Sequence, residues 1–421
     1  ASLAYVTVVR SNENGIWSPA ALLLATIMIF HFGIIITYAI GLKGGLYTAI
    51  QMRRWFISTL NQNAIFIVML GVLGYAIGIH IGSIQFKKSN GQGHVNEWHN
   101  RVLTYAGFFV VTIGAAGWIY LASQMSLVGI SYVAYRELLH ENRLLSTCYN
   151  AFVWGIVLLA AASPSRLRNV GFVIFGIVAI PIFLIGARGE VLFPVVTGLA
   201  IIGRRRRLLP LLAAIIIAVG LLFSVSTVKN LRQQGLSAVE SYETVEGSIT
   251  QGINELGTTL MCVYVTTLWH HQGDEFIYGA SYWAPFDRAL DRIIPGVKQL
   301  SAREDKRLLG VLIGQRWGSA GFSMIAEAYY NFGTPGVFFI LLAVGVGVQW
   351  MSTWPVTPYY QALFGMIIYP IIYTVRNSFV MLPKTIFEGL LLLGLIILVG
   401  MVFRRNTHVD GAITAPQPPA Q

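Results

Sequence analysis

The chain has 421 residues, of which 55% are hydrophobic and only 11% are Asp, Glu, Lys or Arg. A soluble domain carries about 25% charged residues, so this composition excludes an ordinary soluble enzyme; two cysteines exclude a disulfide scaffold and 12% aromatics exclude disorder. The net charge of +11 sits in short clusters between apolar runs, the distribution of membrane topology signals rather than of a nucleic-acid surface.

The remaining class is an all-α, polytopic integral membrane protein. The chain starts at Ala1, which removal of an initiator Met or trimming of a longer protein would explain, and residues 1–9 read as the stub of an earlier helix. A membrane helix needs roughly 20 apolar residues. About ten candidate spans follow, near 17–42, 58–85, 102–122, 144–163, 169–186, 189–203, 208–228, 334–352, 358–374 and 385–403. The runs are continuous rather than alternating, which argues against a β-barrel.

Orientation rests on Arg204, Arg205, Arg206 and Arg207, four arginines between two apolar runs, which belong on the cytoplasmic side. One crossing later, the polar segment 229–317 falls outside, and three more crossings return Arg404 and Arg405 inside. Counting backwards puts Lys87, Lys88, Arg101, Arg166 and Arg168 inside too; Lys43, Arg53 and Arg54 disagree by falling outside. Pro181 and Pro194 flank the turn Gly186-Ala187-Arg188-Gly189-Glu190, so 169–203 is expected to be a bent hairpin whose tip opens into a cavity. The expected divisions are 1–228, N-terminal membrane helices; 229–332, a large external loop; 333–405, C-terminal membrane helices; and 406–421, a disordered tail.

The external segment 229–317 holds nine Lys or Arg and ten Asp or Glu, so the chain's surplus positive charge lies elsewhere. Within it, Ile249, Ile253, Leu256, Leu260, Val263, Tyr264 and Leu268 recur at helical spacing, predicting an amphipathic helix that ends at Trp269-His270-His271, with the Trp at a membrane interface. A second helix carries Asp287, Arg288, Asp291 and Arg292, whose bland reading is local ion pairs on a solvated face. The run into the eighth span puts Glu327 and Asn331 one turn apart on one face, and glycines break the helix after them.

Carboxylates at apolar runs are few: Glu190, Glu327 and Glu388. A charge at membrane depth costs about 2.5–3.5 kcal/mol, so each needs a partner or a task. Glu190 could pair with Arg188, Arg316 could anchor an interface beside Trp317, Arg232 could flank a span end, and Glu388 reads as an interfacial carboxylate. There is no HExxH, CxxC, DxD, Walker A or GxGxxG pattern, so neither a metal nor a cofactor is expected. What remains is an outward cavity bordered by arginines, a few carboxylates and many aromatics, an inventory suited to an anionic lipid head that carries a sugar.

The run from Gly321 to Gly336, with Ala326-Glu327-Ala328-Tyr329-Tyr330-Asn331-Phe332-Gly333-Thr334-Pro335, resembles the signature of Wzy-type O-antigen polymerases. Ser18-Pro19-Ala20 opening a span with Phe30-His31-Phe32-Gly33, then Gly186 to Glu190, then Gly279 to Pro295, agree in order. The resemblance implies a GT-C-like, metal-independent glycosyltransferase of the bacterial inner membrane. Such an enzyme transfers a growing chain from undecaprenyl pyrophosphate to the next lipid-linked oligosaccharide repeat unit at the periplasmic face. Donor and acceptor lipids, membrane lipids and a chain-length regulator are the expected partners, and nucleic acid is not. On this expectation Arg188, Arg232 and Arg316 hold the donor pyrophosphate, Arg288 and Glu190 help bind substrate, and Glu327, Tyr330 and Asn331 orient the acceptor. Glu327 or His270 takes the acceptor proton. The alternatives are an O-antigen ligase, which uses the same donor with a different acceptor, and a transporter, which would favour mid-span polar residues and pseudo-repeats.

Overall fold

The computed structural model describes residues 1–40, 57–86, 96–124, 135, 141–185, 188–205, 208, 250, 252–254, 256–294, 300–318 and 321–413. Every regular element among them is helical. In chain order these are α1 (Ser2–Arg10), α2 (Pro19–Ile40), α3 (Thr59–Gln85), α4 (Glu97–Gln124), α5 (Arg143–Ala161), α6 (Arg166–Ile185), α7 (Arg188–Gly203), α8 (Leu260–His271), α9 (Ala280–Ile293), α10 (Leu309–Arg316), α11 (Met324–Ser352), α12 (Pro358–Tyr373) and α13 (Met381–Ile413). Seven of them, α2 to α6, α11 and α13, are long and apolar enough to cross a membrane. The expected spans at 189–203 and 358–374 are the 16-residue helices α7 and α12, while most of 208–228 lies outside the described residues.

Helices in a bilayer gain nothing from excluding water from one another, so they associate where small residues let backbones meet. The longest contact, between α3 and α11, is built this way. Gly71, Gly74, Gly78 and Gly82 line one stripe of α3 and face Val337, the Phe338 and Leu342 carbonyls, and Gln349 on α11. The numbering rises together, so the two helices run in the same direction. Gly345 returns the contact against the Tyr75 carbonyl. The antiparallel pair α4 and α5 uses the same device, with Gly114 against Phe152 and Gly155 against Val111.

One end of the bundle gathers arginines on which the expected orientation rests. Arg204 donates to the Gln361 side chain and the Trp354 carbonyl, both at 2.7 Å, and Arg168 and Arg205 donate to Ala162, the C-cap of α5, at 3.1 and 2.8 Å. Cations on free helix-end carbonyls satisfy acceptors and oppose the negative dipole end. Gly400 meets Val102 and Tyr359, which brings the stretches holding Arg101 and Arg404 to this same end. Lys43, Arg53, Arg54, Lys87 and Lys88 lie outside the described residues.

The opposite end carries α8 to α10, and here the structure departs from expectation. The amphipathic stretch does not lie at a surface. Its helix begins at Leu260 after a turn at Thr258 and Thr259, and Leu260, Cys262, Val263, Val265 and Trp269 are buried against α3 and α11. Its approach is also buried: Gly257 meets Gly33 and Ile34 of α2, and Thr37 donates to Asn254 at 2.5 Å. Trp269 is therefore core, not an interfacial anchor. Residues 324–332, grouped with the loop by sequence, are the first turns of α11.

Gly78→Leu places branched carbon where the Leu342 carbonyl already sits, an overpacking that costs about 1–3 kcal/mol or more. Thermal unfolding of the detergent-solubilised protein should show a clear fall in midpoint for Gly78→Leu. Gly347→Ala, on α11 with open space around it, should leave the midpoint within about a degree or two; equal midpoints for both variants would contradict the seam.

Candidate functional site

Glu327 is the centre of the end opposite Arg204. Ser323 caps α11, accepting from the Ile325 N–H at 3.1 Å, while its hydroxyl lies 2.7 Å from His31 Nε2. His31 Nδ1 faces the Ile27 carbonyl at 2.9 Å, so Nδ1 holds the proton and Nε2 accepts from the Ser323 hydroxyl. One turn into α11, Glu327 is 1% exposed. One carboxylate oxygen accepts from the Ser281 hydroxyl at 2.7 Å, and the other from the Phe379 N–H at 2.6 Å. The same carboxylate thus joins the first turn of α9 to the turn between α12 and α13.

Asn331, one turn on, is fully buried and completes the junction. Its amide donates to Ser281 Oγ and to the Glu327 carbonyl, both at 2.8 Å, and its Oδ1 accepts from the Gly279 N–H at 2.9 Å. The helix breaks directly afterwards, at Gly333 with φ 67° and ψ −162°. Pro335 has no N–H to give the Asn331 carbonyl. That carbonyl instead accepts from Tyr278 N–H at 3.0 Å. Tyr278 at φ 44° and Gly279 at φ 90° are both left-handed, turning the chain sharply into α9. The strained conformation of Tyr278, a non-glycine residue, persists because the surrounding bonds over-determine it.

A second group lies beside this junction. Arg316, at the end of α10, donates to Asp274 at 2.5 Å and stacks over the Trp269 ring at 5.0 Å. The Tyr330 hydroxyl donates to the same carboxylate oxygen at 2.9 Å. Burial works to raise the Asp274 carboxyl, but the bonds from Arg316 and Tyr330 and the Arg316 charge outweigh it and hold it below its ordinary 3.8. His270 Nδ1 lies 2.7 Å from the Asp274 carbonyl, so it donates there and leaves Nε2 as the bare nitrogen, buried with no hydrogen-bond partner. Phe276, Tyr329 and Tyr330 surround the ring.

Of the remaining sequence candidates, Glu190 sits in the first turn of α7. Its carboxylate accepts from the Tyr135 hydroxyl at 3.1 Å and its carbonyl from the Tyr149 hydroxyl at 2.7 Å. Phe193, on the same helix, stacks with Phe30 at 5.7 Å and meets Tyr373 edge-on at 5.5 Å. The Arg188 side chain and all of Arg232 lie outside the described residues. Arg288 pairs with neither Asp287 nor Asp291. It reaches Asp305 at 3.2 Å, and Arg307 joins Asp305 at 2.9 Å to Asp287 at 2.6 Å. That network fastens α9 to the 300–308 turn rather than bringing Arg288 to Glu327. Glu388 forms an exposed pair with Lys384 at 3.6 Å.

Three positions here escaped sequence reasoning: Ser281, His31 and Arg376. Ser281 gave no signal. His31 stood inside a motif but carries only a local apolar context. Arg376 drew no reading from sequence, and its turn is fixed by Phe322 N–H donating to its carbonyl at 3.1 Å. Among the described residues no group of three or more His, Cys, Asp and Glu converges as metal ligands.

A family model described as O-antigen polysaccharide polymerase Wzy matches residues 2–406. Protein CapE of Staphylococcus aureus is similar at 27% identity over 195 residues, 46% of this chain and 43% of CapE. The match therefore spans less than half the length of that curated relative. No solved structure is significantly similar to the chain.

Glu327→Ala removes the acceptor of two buried donors, at about 1–3 kcal/mol for each donor left unpaired. Thermal unfolding should show this loss, and Glu327→Gln, which keeps one acceptor and the volume, should lose less. Asp274 titrates below its unfolded-state value, so its pairing with Arg316 is complete at neutral pH and is lost as pH falls through the lowered native value. Trp269 emission should change over that acid range in the native protein and not in Asp274→Asn, at a stability difference under about 1 kcal/mol for a part-exposed pair.

Proposed function

The chain belongs to the O-antigen polysaccharide polymerase Wzy family, and from that premise we propose that it polymerises undecaprenyl-pyrophosphate-linked oligosaccharide repeat units at the periplasmic face of a bacterial inner membrane. It does so as a GT-C-type transferase that works without a metal, and a chain-length regulator is its expected partner. The observation that carries the reading is the convergence at one end of the bundle of Glu327, Asn331, Tyr330, His270 and Arg316, with the topology arginines at the other.

The acceptor hydroxyl attacks the anomeric carbon of the donor chain as the bond to the lipid pyrophosphate breaks. Pyrophosphate is a good leaving group, so positioning and charge stabilisation suffice. Arg316, Arg188 and Arg232 hold the departing pyrophosphate. For Arg316 this requires sharing or exchanging Asp274, whose pairing supports a site closed until an anion arrives. Arg288 shapes the site through α9, and Glu190 lines the donor side.

The acceptor rests against Tyr330 and the Tyr278–Ser281 turn. Glu327 and Asn331 fix that turn, so their part is to orient the acceptor from beneath. His270 is the better candidate for the general base. Its Nδ1–H bond to the Asp274 carbonyl sets the tautomer, and its bare Nε2 is the lone pair a hydroxyl proton needs.

The test is purified protein given lipid-linked repeat units alone. A ladder of lengths supports polymerisation. No product unless a lipid A core acceptor is added would indicate a ligase. Arg316→Ala and Arg188→Ala should abolish long chains and leave single repeats; unchanged ladders from either would remove that residue from the site.

A further inference from the structure

Among the described residues at the Glu327 end, three arginines have acid partners. Arg316 has Asp274, Arg288 has Asp305, and Arg307 has Asp305 and Asp287. Arg376 is different. It is half-buried, and among the described residues no carboxylate or other acceptor meets its guanidinium. The group lies over the Phe30 ring, 5.8 Å from the centroid. A cation held against an aromatic face is stabilised on that face, while its in-plane N–H donors point away from the ring and stay open to solvent or to an arriving anion. Part-buried at the end of an apolar bundle, such a group gains more from a phosphate oxygen than a fully exposed arginine does.

The backbone presents this side chain by construction. Two bonds zip its turn onto the start of α11: Phe322 N–H to the Arg376 carbonyl at 3.1 Å, and Met324 N–H to the Thr374 carbonyl at 3.0 Å. Gly321, at φ 73°, is where a Cβ would press to 2.9 Å on the Arg376 carbonyl and 3.6 Å on its Cγ, so glycine keeps the space in which the arginine stands. Three residues further on, the Phe379 N–H caps Glu327. On the other side, Phe30 stacks on Phe193, which shares α7 with Glu190. Arg376 thus connects the two halves of the site, and among the described residues it is a part-buried arginine there that no protein acid meets.

Resting on the polymerase reading, we infer that Arg376 is a phosphate-binding residue that grips the pyrophosphate of the lipid-linked substrate through its free guanidinium edge. Arg316, neutralised by Asp274, is then a reserve cation rather than the resting anion site. Planar, bidentate contact to phosphate oxygens is what arginine offers and lysine does not.

The test measures binding of undecaprenyl pyrophosphate to full-length protein in nanodiscs of phosphatidylcholine, with and without phosphatidylglycerol. Arg376→Gln should weaken the dissociation constant by about tenfold or more, Arg376→Lys should recover part of that loss, and the exposed control Arg292→Ala should match wild type. With lipid-linked repeat units, Arg376→Lys should raise KM more than it lowers kcat. If Arg376→Gln fails to fold, Arg376→Lys alone carries the comparison. Wild-type protein that does not bind the probe would sink the polymerase reading itself. Wild-type binding matched by Arg376→Gln, or by Arg376→Lys where only that variant folds, would overturn this inference. So would a dependence on Arg376 seen only with phosphatidylglycerol, which would make the group a bilayer headgroup contact.

Discussion

A carboxylate cannot sit in an apolar bundle unless its oxygens are met, and that requirement at Glu327 organises everything around it. The side chain is 1% exposed, so water cannot serve. Its partners come from two segments distant in the chain, the Ser281 hydroxyl on α9 and the Phe379 N–H after α12. Satisfying one group therefore fixes where α9 docks and where α13 begins. Asn331 repeats the arrangement one turn later, with bonds to Ser281 and Gly279. The Tyr278–Ser281 turn and α11 are held as one piece because neither polar pair is satisfied without the other segment.

The main helix seam beneath is built differently. The α3–α11 pair relies on backbone contact through glycines, a geometry that excludes sliding because each carbonyl sits in a space that any side chain would fill. Rigidity there and hydrogen-bonded assembly above are different solutions to the same poverty of charge. Among the described residues at the Glu327 end, Arg316 is paired with Asp274 and Arg288 with Asp305, and beside them the part-buried Arg376, which meets no acid, is informative.

Much of this was legible in sequence, and the parts that were not fail for identifiable reasons. Continuous apolar runs located the seven helices long enough to cross a membrane, since length and hydropathy are local quantities, although about ten spans were expected. Glu327 and Asn331 stood out because carboxylates are scarce in such runs and their spacing puts them on one face. The glycine break after them was also readable. Periodicity misled at 249–268, because an apolar stripe looks the same whether it meets lipid or a neighbouring helix, and here Cys262 and Trp269 meet protein. Partners were illegible wherever they are remote: Arg288 had acids at its own helix spacing, yet it chose Asp305 across a turn. Arg376 drew no notice because a lone arginine beside an apolar run carries no sign of what it will face.

The interruption at Gly333 has a consequence for how such a molecule can change over time. A continuous helix couples every residue's azimuth to every other, at about 100° per position, so altering the packing face of one half would rotate the other. With φ 67° at Gly333, the half carrying Glu327 and the half carrying the glycine seam have independent phases. Substitutions in the half carrying Glu327 need not rotate the glycine contact with α3, and changes in that contact need not turn Glu327 away from Ser281 and Phe379. The kink makes two separately adjustable segments of what looks like one element.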